Sequence, residues 1–368
     1  MKLTRRAALG AGAAALATPF LSRLALAQGR TVNVYNWADY IGETTLADFE
    51  AATGITPVYD VYDSAEAAEA KLMAGQSGYD VVVTAGRNLP RFKAAGIMAP
   101  LDKAKMPNLV HMDPAIMAIL DPLDPGNAYA LPYMWGTTGI TVNRKLVEEF
   151  APGTDPSTLD FLFDPVVMEK LSACGVNMLD SPGTVMPMIL AWLGKNPMSQ
   201  DPADLDAAIA AFDKVRPFIR SFDNNAYIAN MANEELCVTM NWAGDYAVSV
   251  TRAKEAGLDL DLQYFVPKTG GTMWVDAFII PADAANKEEA HAFLDFMMKP
   301  EVIAAATNYT AYANANKDAD ALVDPAIRGN PAVYPDAEVK ARIWLPEAVS
   351  ADYDSARTRA WQRIMTGS

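Results

Sequence analysis

Three places in the chain set a tryptophan beside an aspartate, and they carry most of its chemical potential. Trp37-Ala38-Asp39-Tyr40 is the first, and Trp242-Ala243-Gly244-Asp245-Tyr246 is the second. Trp274 precedes Asp276 by two residues, and Tyr312 closes the run Tyr309-Thr310-Ala311-Tyr312. The face of a tryptophan or tyrosine ring attracts an ammonium by ~0.5–2 kcal/mol. A charge-assisted hydrogen bond to a carboxylate contributes roughly 1.5–3 kcal/mol. A few of each suffice for micromolar capture of an organic cation, about −8 kcal/mol. Taken singly, each has a plainer role: the rings pack in a core, and Asp39 and Asp245 cap the helices that follow them. Three clusters of one composition tilt the balance toward cation binding.

Catalytic chemistry has little to work with. Only two histidines occur, His111 and His291, which excludes a histidine-rich metal site and leaves few choices for a triad. His291 reads as a surface residue of a helix. The chain lacks a Gly-x-Ser-x-Gly elbow, a phosphate-binding loop, a His-Glu-x-x-His pair and a calcium loop. Asp121 and Asp124, interleaved with prolines, read as a solvated turn. The expectation is a protein without catalytic residues, metal or cofactor.

The elements that must position the clusters alternate between strand and helix. Thr31–Tyr35 reads as a strand, Thr45–Thr53 as a helix closed by Gly54, and Ile55–Val61 as a second strand. Asp63 and Glu66 have the spacing of a capping box, opening a helix through Met73 that Gly75 ends. Tyr79–Val83 is apolar enough for a parallel strand buried on both faces. Ala130–Tyr133 runs into Thr138–Val142 without a helix between them, as a crossover into a second lobe would. Strands are expected at Leu236–Met240, Leu262–Val266 and Asp276–Ile280. An amphipathic helix covers Lys287–Met298, with Ala290, Phe293, Leu294 and Met297 on one face. In such an α/β protein, ligands sit at the carboxyl ends of the strands. No single linker divides the chain, so it is expected to cross between lobes more than once.

The first residues read as an export signal. Lys2, Arg5 and Arg6 precede an Ala/Gly-rich apolar run, and Ala25-Leu26-Ala27 offers a small-x-small site, so cleavage is expected after Ala27. The run is too short to span ~30 Å of hydrocarbon. Arg5-Arg6 gives it a twin-arginine character, although general secretion also fits. Gly10-Ala11-Gly12 mimics a dinucleotide fingerprint but has no strand before it. Removing residues 1–27 takes away Lys2, Arg5, Arg6 and Arg23 and no acid, which carries the net charge from −15 to −19. That excess excludes nucleic acid as a partner. It suits a cationic ligand, though solubility alone also accounts for it. Cys174 and Cys237 are expected to form a structural disulfide in an oxidising compartment, with two buried thiols as the alternative.

At these clusters the sequence resembles the periplasmic polyamine-binding proteins of ABC transporters, the putrescine- and spermidine-binding family. The likeness runs through Val34-Tyr35-Asn36-Trp37-Ala38-Asp39-Tyr40-Ile41, Lys71-Leu72-Met73-Ala74-Gly75 and Leu131-Pro132-Tyr133-Met134-Trp135-Gly136-Thr137-Thr138-Gly139. It continues in Trp242-Ala243-Gly244-Asp245, Tyr312-Ala313-Asn314-Ala315-Asn316 and Arg357-Thr358-Arg359-Ala360-Trp361. The resemblance implies a two-lobed α/β fold of the type II periplasmic-binding-protein kind, with a ligand cleft between lobes that close on the cargo. One lobe would take residues 28–136 plus 261–308, and the other 137–260 plus 309–368. Trp37 and Tyr40 would wall the cleft, Asp39 would pair with a terminal amine, and Trp242 would stack on the aliphatic chain. Asp245 and Asp276 would bind ammonium groups, with Trp274 and Tyr312 completing the aromatic box. The resemblance also implies the Cys174–Cys237 pairing, a monomer, and a membrane permease as partner.

Departures from that family bear on the cargo. Putrescine binders of the family carry serines where Ala38 and Ala85 stand, and an acid near Thr184. Trp274 stands where other members have phenylalanine and resembles those that take spermidine. Arg87 lies close to the cleft strand; it is either a solvated loop residue or a cation that repels amines and binds a carboxylate. The principal alternative is therefore the same fold holding a zwitterion such as an ω-amino acid, with Arg87 or Arg252 meeting its carboxylate. An exported enzyme is a remote third reading.

Overall fold

The computed structural model describes residues 29–345, 347 and 349–366. The expected signal and its cleavage site lie outside the described residues. Ten strands follow in order: β1 (Thr31–Trp37), β2 (Thr56–Tyr62), β3 (Val81–Ala85), β4 (Ala130–Asn143), β5 (Val176–Met178), β6 (Ser221–Phe222), β7 (Val238–Trp242), β8 (Leu262–Phe265), β9 (Met273–Ile279) and β10 (Ala313–Asn314). Hydrogen bonding connects them in the path β2-β1-β3-β9-β4-β7-β5-β6, with β8 and β10 also pairing β4. β1 runs parallel to β2 and β3, and β7 parallel to β5 and so to β6. β4 and β9 are antiparallel to their neighbours.

Two hydrophobic cores form along this path. The first gathers Val32, Val34, Val81, Val83, Phe49, Phe278 and Phe293. The second gathers Ile140, Val142, Val176, Met178, Phe212, Val238 and Trp361. β3 is buried along its whole length, as an apolar strand covered on both faces must be. Beyond β1, β2 forms the sheet edge, largely exposed and carrying Pro57, which lacks the N–H that an interior strand would need.

β4 joins the cores. Its first half pairs with β9 and its second with β7 and β8, so the expected crossover is one continuous 14-residue strand. Thr138 N–H donates to the Thr272 carbonyl at 2.9 Å, and Met273 N–H donates to the Trp344 carbonyl at 2.8 Å. Three chain segments are thus tied together where they pass between the cores.

Several expectations shift. The lobe boundaries differ from the cores: Leu262 packs into the second core, while Tyr312, Ala313, Ala315 and Val333 pack into the first. β8 pairs with the second half of β4, and β10 with the first, which carries each segment to the opposite side from that expected. The helix Ala65–Met73 is capped by Ser64, whose Oγ accepts from Ala67 N–H at 3.2 Å, rather than by Asp63. His291 is buried, not exposed: its Nε2 accepts the Asp102 N–H at 2.9 Å. Asp124 is fully buried, its Oδ2 accepting from the N–H groups of Tyr129 and Ala130 at the entry to β4. The helix at 287 spans Lys287–Met297 and buries the four expected apolar residues. Cys174 and Cys237 form a disulfide with their Cα atoms 5.5 Å apart, beside the parallel pair β5 and β7.

Candidate functional site

Between the cores lies a cleft of about 1620 Å³, partly open to solvent. Every residue expected to bind or tune the ligand lines it: Trp37, Asp39, Tyr40, Trp242, Asp245, Trp274, Asp276 and Tyr312, with Ala38, Ala85, Arg87 and Thr184. Strand register accounts for much of the convergence. On β4, Gly136 stands opposite Trp274 of β9 and Thr138 opposite Trp242 of β7, so one strand sets both indoles. Asp276 stands opposite Ala85, the last residue of β3. Trp242 packs against both cores.

The rings form a continuous wall. Trp37 tilts against Tyr62 with centroids 4.4 Å apart. Tyr312 meets Tyr40 at 5.2 Å and Trp274 at 5.3 Å, both edge to face, a preferred aromatic geometry. Two glycines make room for this wall. A Cβ on Gly136 would lie 2.6 Å from the Trp274 ring, and one on Gly244 would lie 2.7 Å from the Tyr312 ring.

Two carboxylates sit buried in the wall, one borne by each core. Asp245 opens the helix Ala243–Glu255 beside the second core, and Asp276 lies on β9 in the first. The Tyr312 hydroxyl donates to Asp245 at 2.5 Å, and the Tyr227 hydroxyl donates to the same carboxylate. Burial lifts Asp245 to about 6, while those phenols and the Arg252 charge pull it down. Burial lifts Asp276 to about 7, against the pull of Arg87 and then the Tyr40 hydroxyl. Asp39 differs: its side chain is 70% exposed and faces Arg252 of the opposite wall at 3.9 Å. Altogether seven carboxylates and three arginines line the cleft. The indole N–H groups of Trp37 and Trp274 have no hydrogen-bond partner among the described residues.

Arg87 is half-buried, lines the cleft and reaches the first turn of the helix Pro182–Trp192. Sequence reasoning missed Tyr227, Ser181 and the cleft position of Arg357. Tyr227 follows Asn224-Asn225-Ala226, with no motif to mark it. Arg357 stood within a block of family resemblance, and nothing assigned it to the cleft. No group of acids, histidines or cysteines able to hold a metal occurs among the described residues.

A cleft between two cores, walled by aromatics and carboxylates, is the geometry of a receptor for small solutes. The family model for bacterial extracellular solute-binding proteins matches residues 44–335. The chain belongs to that family. A putrescine-binding periplasmic protein of Escherichia coli (strain K12) is 41% identical over 93% of each chain. A putrescine-binding periplasmic protein of Pseudomonas aeruginosa is likewise 41% identical over 93% of each. Among solved structures, a candidate spermidine/putrescine ABC transporter protein from Listeria monocytogenes is 29% identical, with a TM-score of 0.84 over 92% of this chain and 100% of that one. The two-lobed, periplasmic-binding-protein-like architecture of this solute-binding chain agrees with that likeness.

Proposed function

We propose that the chain is the periplasmic receptor of an ABC importer for a small polyamine, putrescine or spermidine. The observation that carries the reading is the pair of buried carboxylates, Asp245 and Asp276, set in one aromatic wall and borne by different cores. A buried carboxylate without a cation is costly, and an ammonium between aromatic faces offsets that cost. Asp245 and Asp276 accept the ammonium groups, and Asp39 meets a second amine nearer the mouth. Trp242 and Trp37 flank the alkyl chain, with Trp274, Tyr40 and Tyr312 completing the box. Because the contacts come from both sides, cargo favours the closed arrangement of the lobes, which is the form handed to the permease. A monomer, export with cleavage after Ala27, and the absence of catalysis belong to the same reading. Export accords with the periplasmic place of the two putrescine-binding relatives.

The test is a thermal-shift screen of the mature chain, stripped of ligand by partial unfolding, against putrescine, cadaverine, spermidine, spermine and agmatine. A ligand at about 100 times its Kd adds ~2.7 kcal/mol of stability, which raises the melting temperature by several degrees. Asp245→Asn is expected to weaken the stabilising amine by roughly tenfold or more while the protein still folds. An unchanged affinity in that variant removes Asp245 from the site, and no stabilisation by any amine overturns the reading.

A further inference from the structure

Capturing a cation does not call for positive charge in the cleft, yet one corner gathers two arginines. Arg87 extends from the turn Gly86–Asn88 after β3, and Arg357 from the helix Ala351–Thr366 on the opposite side. Both flank Gly183: the position of a Cβ there lies 3.1 Å from Arg87 Nε and 3.5 Å from Arg357 Nη2. Among the described residues the Arg87 guanidinium makes no hydrogen bond or ion pair. It influences Asp276 through space but does not pair with it. Arg357 is only 7% exposed and pairs with Asp354, yet its buried Nε has no partner. Burial and the Arg87 charge both work against that cation, and Asp354 only partly offsets them.

Gly183 sits in the first turn of the helix Pro182–Trp192, where backbone N–H groups have no intrahelical acceptor. Thr184 and Val185 N–H return to the Ser181 carbonyl, and Pro182 has none to offer. The Ser181 side chain leaves the turn uncapped, its hydroxyl being 2.9 Å from that of Thr184. An eleven-residue helix end and two guanidiniums, one of them with an unpartnered Nε, thus converge on one side of the cleft. Such an arrangement binds an anion by charge, by planar forked donors and by the helix dipole together.

We propose that Arg87, Arg357 and the first turn at Gly183 form a carboxylate subsite, so that the cleft also takes unbranched amino acids with the amine at the far end of the chain. The inference rests on Asp245 and Asp276 being the ammonium acceptors; the carboxylate of the same cargo then reaches the arginine corner. Ligand chemistry at the two ends is opposite in sign, as the wall is.

Calorimetric titration of the stripped mature chain with putrescine, 4-aminobutyrate, 5-aminovalerate and 6-aminohexanoate tests it, with Arg87→Gln beside the parent. At least one amino acid is expected to bind. Arg87→Gln is expected to weaken it tenfold or more, while putrescine gains because a cation has left the cleft, and the unliganded variant melts cooperatively. Arg357→Lys, which keeps the charge but loses the fork, is expected to weaken the amino acid as well. If putrescine binds and none of the three amino acids does, the subsite is overturned and the amine reading stands. If Arg87→Gln weakens both ligands alike, the arginine is structural and the proposal fails. Putrescine binding that strengthens with added phosphate, with no amino acid bound, assigns the corner to a free anion and equally overturns it. If no amine binds at all, both readings fall together.

Discussion

Asp245 and Asp276 hold protons far more tightly than exposed carboxyls do, and the cause is burial in both. An ammonium is held only by the ionised form, so protons compete with the cargo. Amine affinity is therefore expected to strengthen as pH rises from about 5 to about 8, with protons released on binding near neutrality. Titrations in two buffers of different ionisation enthalpy would read that release, and a flat profile would exclude both carboxylates from the contact. Stability of the empty protein runs the other way. A carboxyl with a folded-state value of about 7 binds more protons folded than unfolded at any pH between its ordinary value and that one. Its contribution to stability therefore falls as pH climbs through that window. Asp276→Asn, which removes the titration, is expected to melt above the parent at pH 8 without ligand, with the gap closing toward pH 4. A variant that melts lower throughout would mean that the ionised carboxylate stabilises the empty fold.

Register on β4 sets the indoles, and glycines set the depth of the rings. Gly244 opens the helix Ala243–Glu255 directly against the Tyr312 ring, which in turn donates to Asp245. A methyl group there has no room, and the atom it meets is a ring held between Tyr40 and Trp274 rather than the end of a flexible chain. Gly244→Ala is expected to push Tyr312 off Asp245 and weaken putrescine by roughly tenfold, about 1.4 kcal/mol, with a smaller loss of stability. Tryptophan fluorescence of the empty variant, with Trp274 beside the displaced ring, gives an independent readout. Unchanged affinity would show that the helix shifts to accommodate the methyl.

Contacts between the two sides decide how the whole molecule opens. Away from the cleft, Arg91 of the helix Leu89–Ala94 donates to Asp354 of the helix Ala351–Thr366 at 2.9 Å and also pairs with Glu69. Asp354 binds Arg357 as well, so this latch and the arginine corner share a carboxylate. Arg91→Ala removes a cross-connection without touching a cleft residue. It is expected to enlarge the radius of gyration of the empty protein in solution scattering. Putrescine affinity should fall a few-fold, because closure then draws on a smaller population. Equal radii for the variant and parent would show that the pair does not hold the sides together.

Residue type and order alone picked out the clusters that the fold gathers in one cleft, because Trp, Tyr and Asp keep their affinity for cations wherever the chain places them. They also determined the alternation of strand and helix and the crossover at β4, since both follow from local periodicity. Burial of individual polar groups was decided only by tertiary structure. His291 looked solvated because the group that satisfies it, a backbone N–H, is 189 residues away. Asp124 looked solvated although its donors, Tyr129 and Ala130, stand only five and six residues on, because the turn that closes over it leaves no periodic pattern. The sides to which 262–265 and 312–333 belong were decided by pairing along β4, which no local pattern reports. The electrostatics of the cleft follow from the same cause. Asp245 takes its hydroxyl donors from Tyr227 and from Tyr312, 67 positions away, and a carboxyl's proton affinity is set by what surrounds it in space rather than along the chain.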